Sequence, residues 1–92
     1  MQIIRDSSYL SSLEYVLDFI ASDSLNKALI FLDKLEDKID NLPYMPYKYR
    51  KSLYYNNENV RDMIFKGYTL PYMIDIDKHQ IILLDIFKWI DR

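Results

Sequence analysis

Cysteine is absent from the 92-residue sequence, which removes a disulfide framework, a thiolate metal site and a cysteine nucleophile at once. The one histidine, His79, is too little for the usual transition-metal centre. The one glycine, Gly67, cannot form a phosphate-cradling glycine loop, so no nucleotide cofactor is indicated. With only three prolines besides, the chain has little material for linkers. The longest apolar runs, such as Ile81-Ile82-Leu83-Leu84, fall far short of the roughly 20 residues of a membrane span. The opening Met1-Gln2-Ile3-Ile4-Arg5-Asp6 lacks the basic start and long apolar stretch of a secretory signal. These absences predict a single cytoplasmic domain over residues 1–92, with no metal, no cofactor and no membrane segment.

What is present is apolar and aromatic. Half of the residues are hydrophobic and 15% are aromatic, too rich for disorder. A chain of this size hides roughly 60–65% of its unfolded surface in one core. The net charge of −2 argues against a protein whose main task is coating nucleic acid. Charge is unevenly placed, however. Residues 1–42 carry four Lys/Arg against eight Asp/Glu, and residues 43–92 carry eight against six. Pro43–Asn57 holds Lys48, Arg50 and Lys51 and no acid, a local patch that suits an anion as well as it suits a solvated loop.

The order of elements follows from periodicity. Gln2–Arg5 reads as a strand running into Asp6-Ser7-Ser8, a helix-start cluster. From Ser8 to Ser22 the apolar positions Leu10, Leu13, Val16, Leu17, Ile20 and Ala21 recur at helical steps, and Ser11 with Glu14 has capping-box spacing. Asp23-Ser24 supplies new N-cap residues, after which Leu25, Ala28, Leu29, Leu32, Leu35, Ile39 and Leu42 form a second stripe that Pro43 ends. So short a connection predicts an antiparallel helix hairpin. Tyr44–Lys51 has no clean period and reads as a crossing loop, Ser52–Tyr55 as a short strand, and Asn56-Asn57-Glu58-Asn59 as a turn. Strands are then predicted over Val60–Phe65, Tyr68–Ile76 and Gln80–Trp89, joined by turns short enough to force antiparallel pairing. Pro71 in the middle strand predicts a local irregularity. The sum is an α+β domain of two layers, β-α-α-β-β-β(-β), with a helix hairpin on one face of an antiparallel sheet.

This order, with Asn26-Lys27-Ala28 early in helix two, the helix-ending Leu42-Pro43, Val60-Arg61 opening a strand, Gly67-Tyr68, and Tyr72-Met73-Ile74-Asp75 before the last strand, resembles the RelE/ParE superfamily of bacterial toxins over essentially the whole chain. The resemblance implies a growth inhibitor held silent by a cognate antitoxin. It also implies a fork: RelE-like members cut messenger RNA in the ribosome, and ParE-like members poison DNA gyrase.

Cleavage by a ribose 2′-hydroxyl needs a cation at the phosphate and groups that carry protons. Arg61 stands at the position that resembles the family's phosphate-stabilising arginine, and it equally reads as a strand-surface arginine paired with an acid. At the end of the last strand, where nucleases of the family show His or Tyr, this chain has Lys88 beside Trp89. Arg61 and Lys88 are therefore catalytic candidates only if the chain is a nuclease. Lys48, Tyr49, Arg50 and Lys51 interleave cations with aromatics, which suits either nucleic acid or a protein target. His79 reads as a polar turn residue, and Asp33, Glu36, Asp37 and Asp40 as the solvated side of helix two. The acidic balance and the missing His or Tyr favour action by protein binding, with RNA cleavage as the alternative.

Overall fold

The computed structural model describes residues 1–88; Trp89, the predicted end of the last strand, and residues 90–92 lie outside them. Strand β1 (Gln2–Arg5) leads into α1 (Ser7–Asp23) and α2 (Leu25–Asn41), and a 3₁₀ turn (Leu42–Tyr44) closes the helical half. Strands β2 (Val60–Phe65), β3 (Tyr68–Asp75), β4 (Gln80–Leu83) and β5 (Phe87–Lys88) follow.

The cap of α1 is Asp6, whose carboxylate accepts from the Ser8 amide, so the helix begins ahead of the Ser11–Glu14 pair. Ser24 is the sole residue between the helices. Its extended backbone ends α1, and its hydroxyl accepts from the Lys27 amide to start α2. The hairpin packs on one sheet face through Tyr9, Leu13 and Val16 of α1 and Ala28, Phe31, Leu35 and Ile39 of α2. That stripe is rotated from the predicted one: Tyr9 and Phe31 are buried, whereas Leu10, Leu25 and Leu29 are about half or more exposed. On the α2 side the rotated stripe brings Phe31 against Phe65 and Tyr68, with ring centroids at 5.2 and 5.4 Å.

The sheet order is β1-β4-β3-β2, with β5 also paired to β3. The predicted antiparallel ladder holds for β2, β3 and β4, while β1 joins β4 in parallel, making the sheet mixed. The parallel step is natural, since the whole hairpin and two strands separate β1 from β4 and serve as the crossover a parallel pair requires. Ser52–Tyr55 is not a strand. A lone bridge, Lys51 to Arg61, is all that forms there, because Ser52 turns its hydroxyl onto the amides of Tyr54 and Tyr55 and bends the chain.

The irregularity expected at Pro71 lies across from it. Leu84 donates its amide to the Pro71 carbonyl, and proline has no N–H to return. Regular pairing stops, and the register moves by one: Leu83 faces Tyr72, yet Lys88 rather than Phe87 faces Tyr68. The extra residue swaps the faces of Phe87 and Lys88. Lys88 turns to the helix side with Tyr68, and Phe87 to the opposite side with Thr69.

Candidate functional site

Two aromatic-lined regions each hold one of the catalytic candidates. The first lies between α1 and β5. Because of the register step, the Lys88 Nζ sits 6.0 Å from the Phe19 ring, at one side of a cleft of about 380 Å³ lined by Ser12, Tyr15, Val16, Phe19, Tyr68 and Ile86 among others. Tyr15 is 77% exposed and Phe19 62%. Neither is on the buried stripe of α1. They are four residues apart on its flank, an aromatic pair on a helix side where polar residues are the rule. The sequence reading passed over both, although their i, i+4 spacing off the stripe was a usable signal.

The second region is where the Tyr44–Lys51 loop folds over β2. Arg61 extends on the helix side of the sheet, donates from Nη1 to the Tyr49 carbonyl at 3.2 Å, and carries the Tyr47 ring 5.0 Å from its guanidinium carbon. Opposite it on β3, the Tyr72 hydroxyl donates to the Pro46 carbonyl at 2.6 Å, and the Tyr49 and Tyr72 rings meet edge to face at 6.4 Å. Burial, with the nearby Tyr49 as a lesser cause, drives the Tyr72 phenol well above its ordinary range. Arg61 is thus held by the chain's own loop.

The structure does not bring Arg61 and Lys88 together. They stand opposite Tyr72 and Tyr68 on the two edges of β3, roughly 13 Å apart along the strand and about 10 Å across it. The cationic patch is also divided. Arg50 approaches Asp62 at 3.7 Å and Lys51 pairs with Glu58 at 3.3 Å, while Lys48 lies 5.5 Å from the Tyr49 ring. Asp62, on β2 and 1% exposed, also accepts from the Leu53 amide at 3.0 Å. This buried acid went unnoticed in the sequence, where one Asp in an apolar strand gives no warning of its partners. His79 is exposed, with a positive φ of 55° at the turn into β4. Among the described residues no group of acids and histidine could hold a metal ion, and no helix is long and apolar enough to cross a membrane.

Comparison with known proteins places this geometry. The chain matches, over residues 3–88, the family model described as the ParE toxin of the type II toxin–antitoxin system parDE. No curated protein sequence matches it. Among solved structures it is similar to one titled as the chromosomal ParDE toxin–antitoxin system from P. aeruginosa, with a TM-score of 0.76 and 14% identity over 98% of this chain and 97% of that one, a likeness of fold. With the family model spanning nearly all of its described residues, the chain belongs to the ParE toxin family of type II toxin–antitoxin systems.

Proposed function

We propose that this chain is a cytoplasmic toxin kept silent by a cognate antitoxin that docks in the α1–β5 groove, and that the free toxin acts by binding a protein target, DNA gyrase, rather than by cutting RNA. The observation that carries the reading is the groove itself. Two large aromatic side chains, Tyr15 and Phe19, stay in solvent beside a cleft whose floor is the apolar core. Soluble domains seldom leave such a patch uncovered without a partner. The edge of β5 away from β3 has no strand beside it among the described residues. An amphipathic segment bearing an acid opposite Lys88 has the matching chemistry.

Binding rather than nuclease action is supported by what surrounds the catalytic candidates. General acid–base cleavage needs its groups within reach of one phosphate. Arg61 is instead engaged by Tyr49 and Tyr47, and Lys88 lies on the far side of β3 over Phe19. Arg61 serves here as a clamp on the loop that carries Lys48, Tyr49, Arg50 and Lys51, the residues proposed to meet the target.

Coexpression with the small protein encoded beside it tests the antitoxin, and is expected to give a complex burying well over about 1,000 Å². Separate purification without binding at micromolar concentration refutes it. For the target, transcript ends mapped within minutes of induction are compared with gyrase supercoiling in vitro. Inhibited supercoiling with intact transcripts is expected, and prompt codon-phased cleavage with unchanged supercoiling would establish the nuclease instead.

A further inference from the structure

Helix α2 divides its polar surface by charge. On a helical wheel Lys27, Lys34 and Lys38 fall on one flank, and Asp33, Glu36 and Asp40 on the other. On the acidic flank Glu36 reaches the end of β1, where it binds Arg5 at 2.6 Å. The basic flank turns toward the β2–β3 turn, and there the loop and the turn add cations that are remote in sequence. One cleft of about 410 Å³ is lined by Lys34, Lys38 and Lys66, with Asp37, Asn41 and Phe65. A neighbouring cleft of about 300 Å³ shares Lys38 and Asn41 with it and adds Lys48, Tyr44 and Tyr49. Four exposed lysines, Lys34, Lys38, Lys48 and Lys66, therefore line one continuous surface.

None of the four pairs with a carboxylate among the described residues, whereas Arg5, Lys27, Arg50 and Lys51 all do. Two sit instead beside rings, Lys48 by Tyr49 at 5.5 Å and Lys66 by Phe65 at 5.8 Å, and both remain exposed. Asp37 is the one acid in either lining. In a chain of net charge −2, so local a concentration of unpaired cations is not a by-product of composition.

We infer that this face binds the phosphodiester backbone of a nucleic acid, weakly and without regard to sequence. Lysine is the discriminating feature. Protein interfaces are depleted in Lys and enriched in Arg, and lysine's compact ammonium serves phosphate as a point charge, without the bidentate geometry by which arginine reads carboxylate or phosphate. Tyr44, 82% exposed beside Lys48, offers a ring face on which a base stacks. The face shares no residue with the α1–β5 groove, so it and the antitoxin reading can fail alone, but it shares Lys48 and Tyr49 with the loop proposed to meet the target and extends that reading to the phosphates of a nucleic acid.

The test is fluorescence anisotropy of the full chain with a labelled DNA duplex of about 20 base pairs and, separately, a single-stranded RNA of the same sequence, with salt varied. Four phosphate contacts predict an association constant that falls about a hundredfold between 50 and 200 mM salt. The two nucleic acids tell which source supplies the phosphates. Lys34→Gln/Lys38→Gln should flatten the salt dependence by about two contacts, while Lys27→Gln/Lys78→Gln should leave it intact, since Lys27, two turns up the same flank, is paired with Asp23 and neither lysine lines either cleft. Circular dichroism checks that both variants are folded. The inference is overturned if neither nucleic acid binds at low salt, if the two double variants bind alike, or if only an acidic polypeptide such as polyglutamate binds.

Discussion

The two aromatic regions of the sheet are built from the same kinds of residue and finished differently. At β2, Arg61 lies beneath Tyr47 and Tyr49, with Tyr72 bonded to Pro46, so the loop supplies the cover. At β5, Lys88 lies against Phe19 with Tyr15 and Phe19 in solvent, and no described segment covers them. A cation beside aromatics is therefore not one signal. Where the chain folds over it the pair acts in stability, and where the chain leaves it open the pair is available to a partner.

Truncation on the covered side should have the largest effect. Arg61→Ala removes the bond to the Tyr49 carbonyl and the Tyr47 contact together and loosens the loop. A loss of about 2–3 kcal/mol in urea unfolding is expected, against under about 0.5 kcal/mol for Lys88→Ala or His79→Ala. Toxicity in a host without antitoxin should fall for Arg61→Ala well before it falls for His79→Ala. A folded Arg61→Ala chain as stable and as toxic as the parent would erase the distinction between the two regions.

On the open side the order of effects reverses. Phe19→Ala should weaken antitoxin binding by about 10- to 100-fold in calorimetry, as expected of a central aromatic anchor, and leave the unfolding midpoint nearly unchanged. Equal losses of stability and affinity would mean that Phe19 belongs to the core rather than to an interface.

Much of this was legible in the sequence, and all but one of the failures share a cause. Helical spacing, Ser24 and Pro43 delimited the hairpin, and alternation placed Leu70, Tyr72 and Ile74 on the core face, because these signals act within one segment. Ser52–Tyr55 misled because a serine hydroxyl competed locally with pairing. The rotation of the helical stripes, the partners of Asp62 and the lysine face depend on residues far apart in the chain. Lys88 illustrates the limit. Pro71 announced an irregularity, but only the one-residue register step in its partner strand decided which side of the sheet Lys88 would occupy.

A smaller effect sharpens the meaning of cover. Tyr72→Phe removes the hydroxyl that donates to the Pro46 carbonyl and leaves that oxygen unbonded, at a cost of about 1 kcal/mol. Thermal unfolding at neutral pH measures it. No change would show that the loop is held by Arg61 alone.

The smallest effect at neutral pH is expected at Tyr9, the contrasting hydroxyl. It too is fully buried, but its oxygen has no hydrogen-bond partner. Removing an unsatisfied buried polar atom without changing the ring is close to neutral, so Tyr9→Phe should lie within about 0.5 kcal/mol of the parent at pH 8. The difference emerges in alkali. Burial, helped by the Glu36 carboxylate and opposed by Arg5, pushes the Tyr9 phenol from 10.0 up to about 12. A folded-state pKa above the unfolded one gives a contribution that is whole below pH 10 and is lost as pH rises through about 12, because the unfolded chain releases that proton first. Tyr9→Phe cannot ionise at this position, so it should lose less stability than the parent between pH 10 and 12. Unfolding midpoints at pH 8 and pH 11 decide the matter. A variant weakened at pH 8 by as much as Tyr72→Phe would mean that the Tyr9 hydroxyl has a bonded partner after all, and that cover in the core and cover by the loop do not differ.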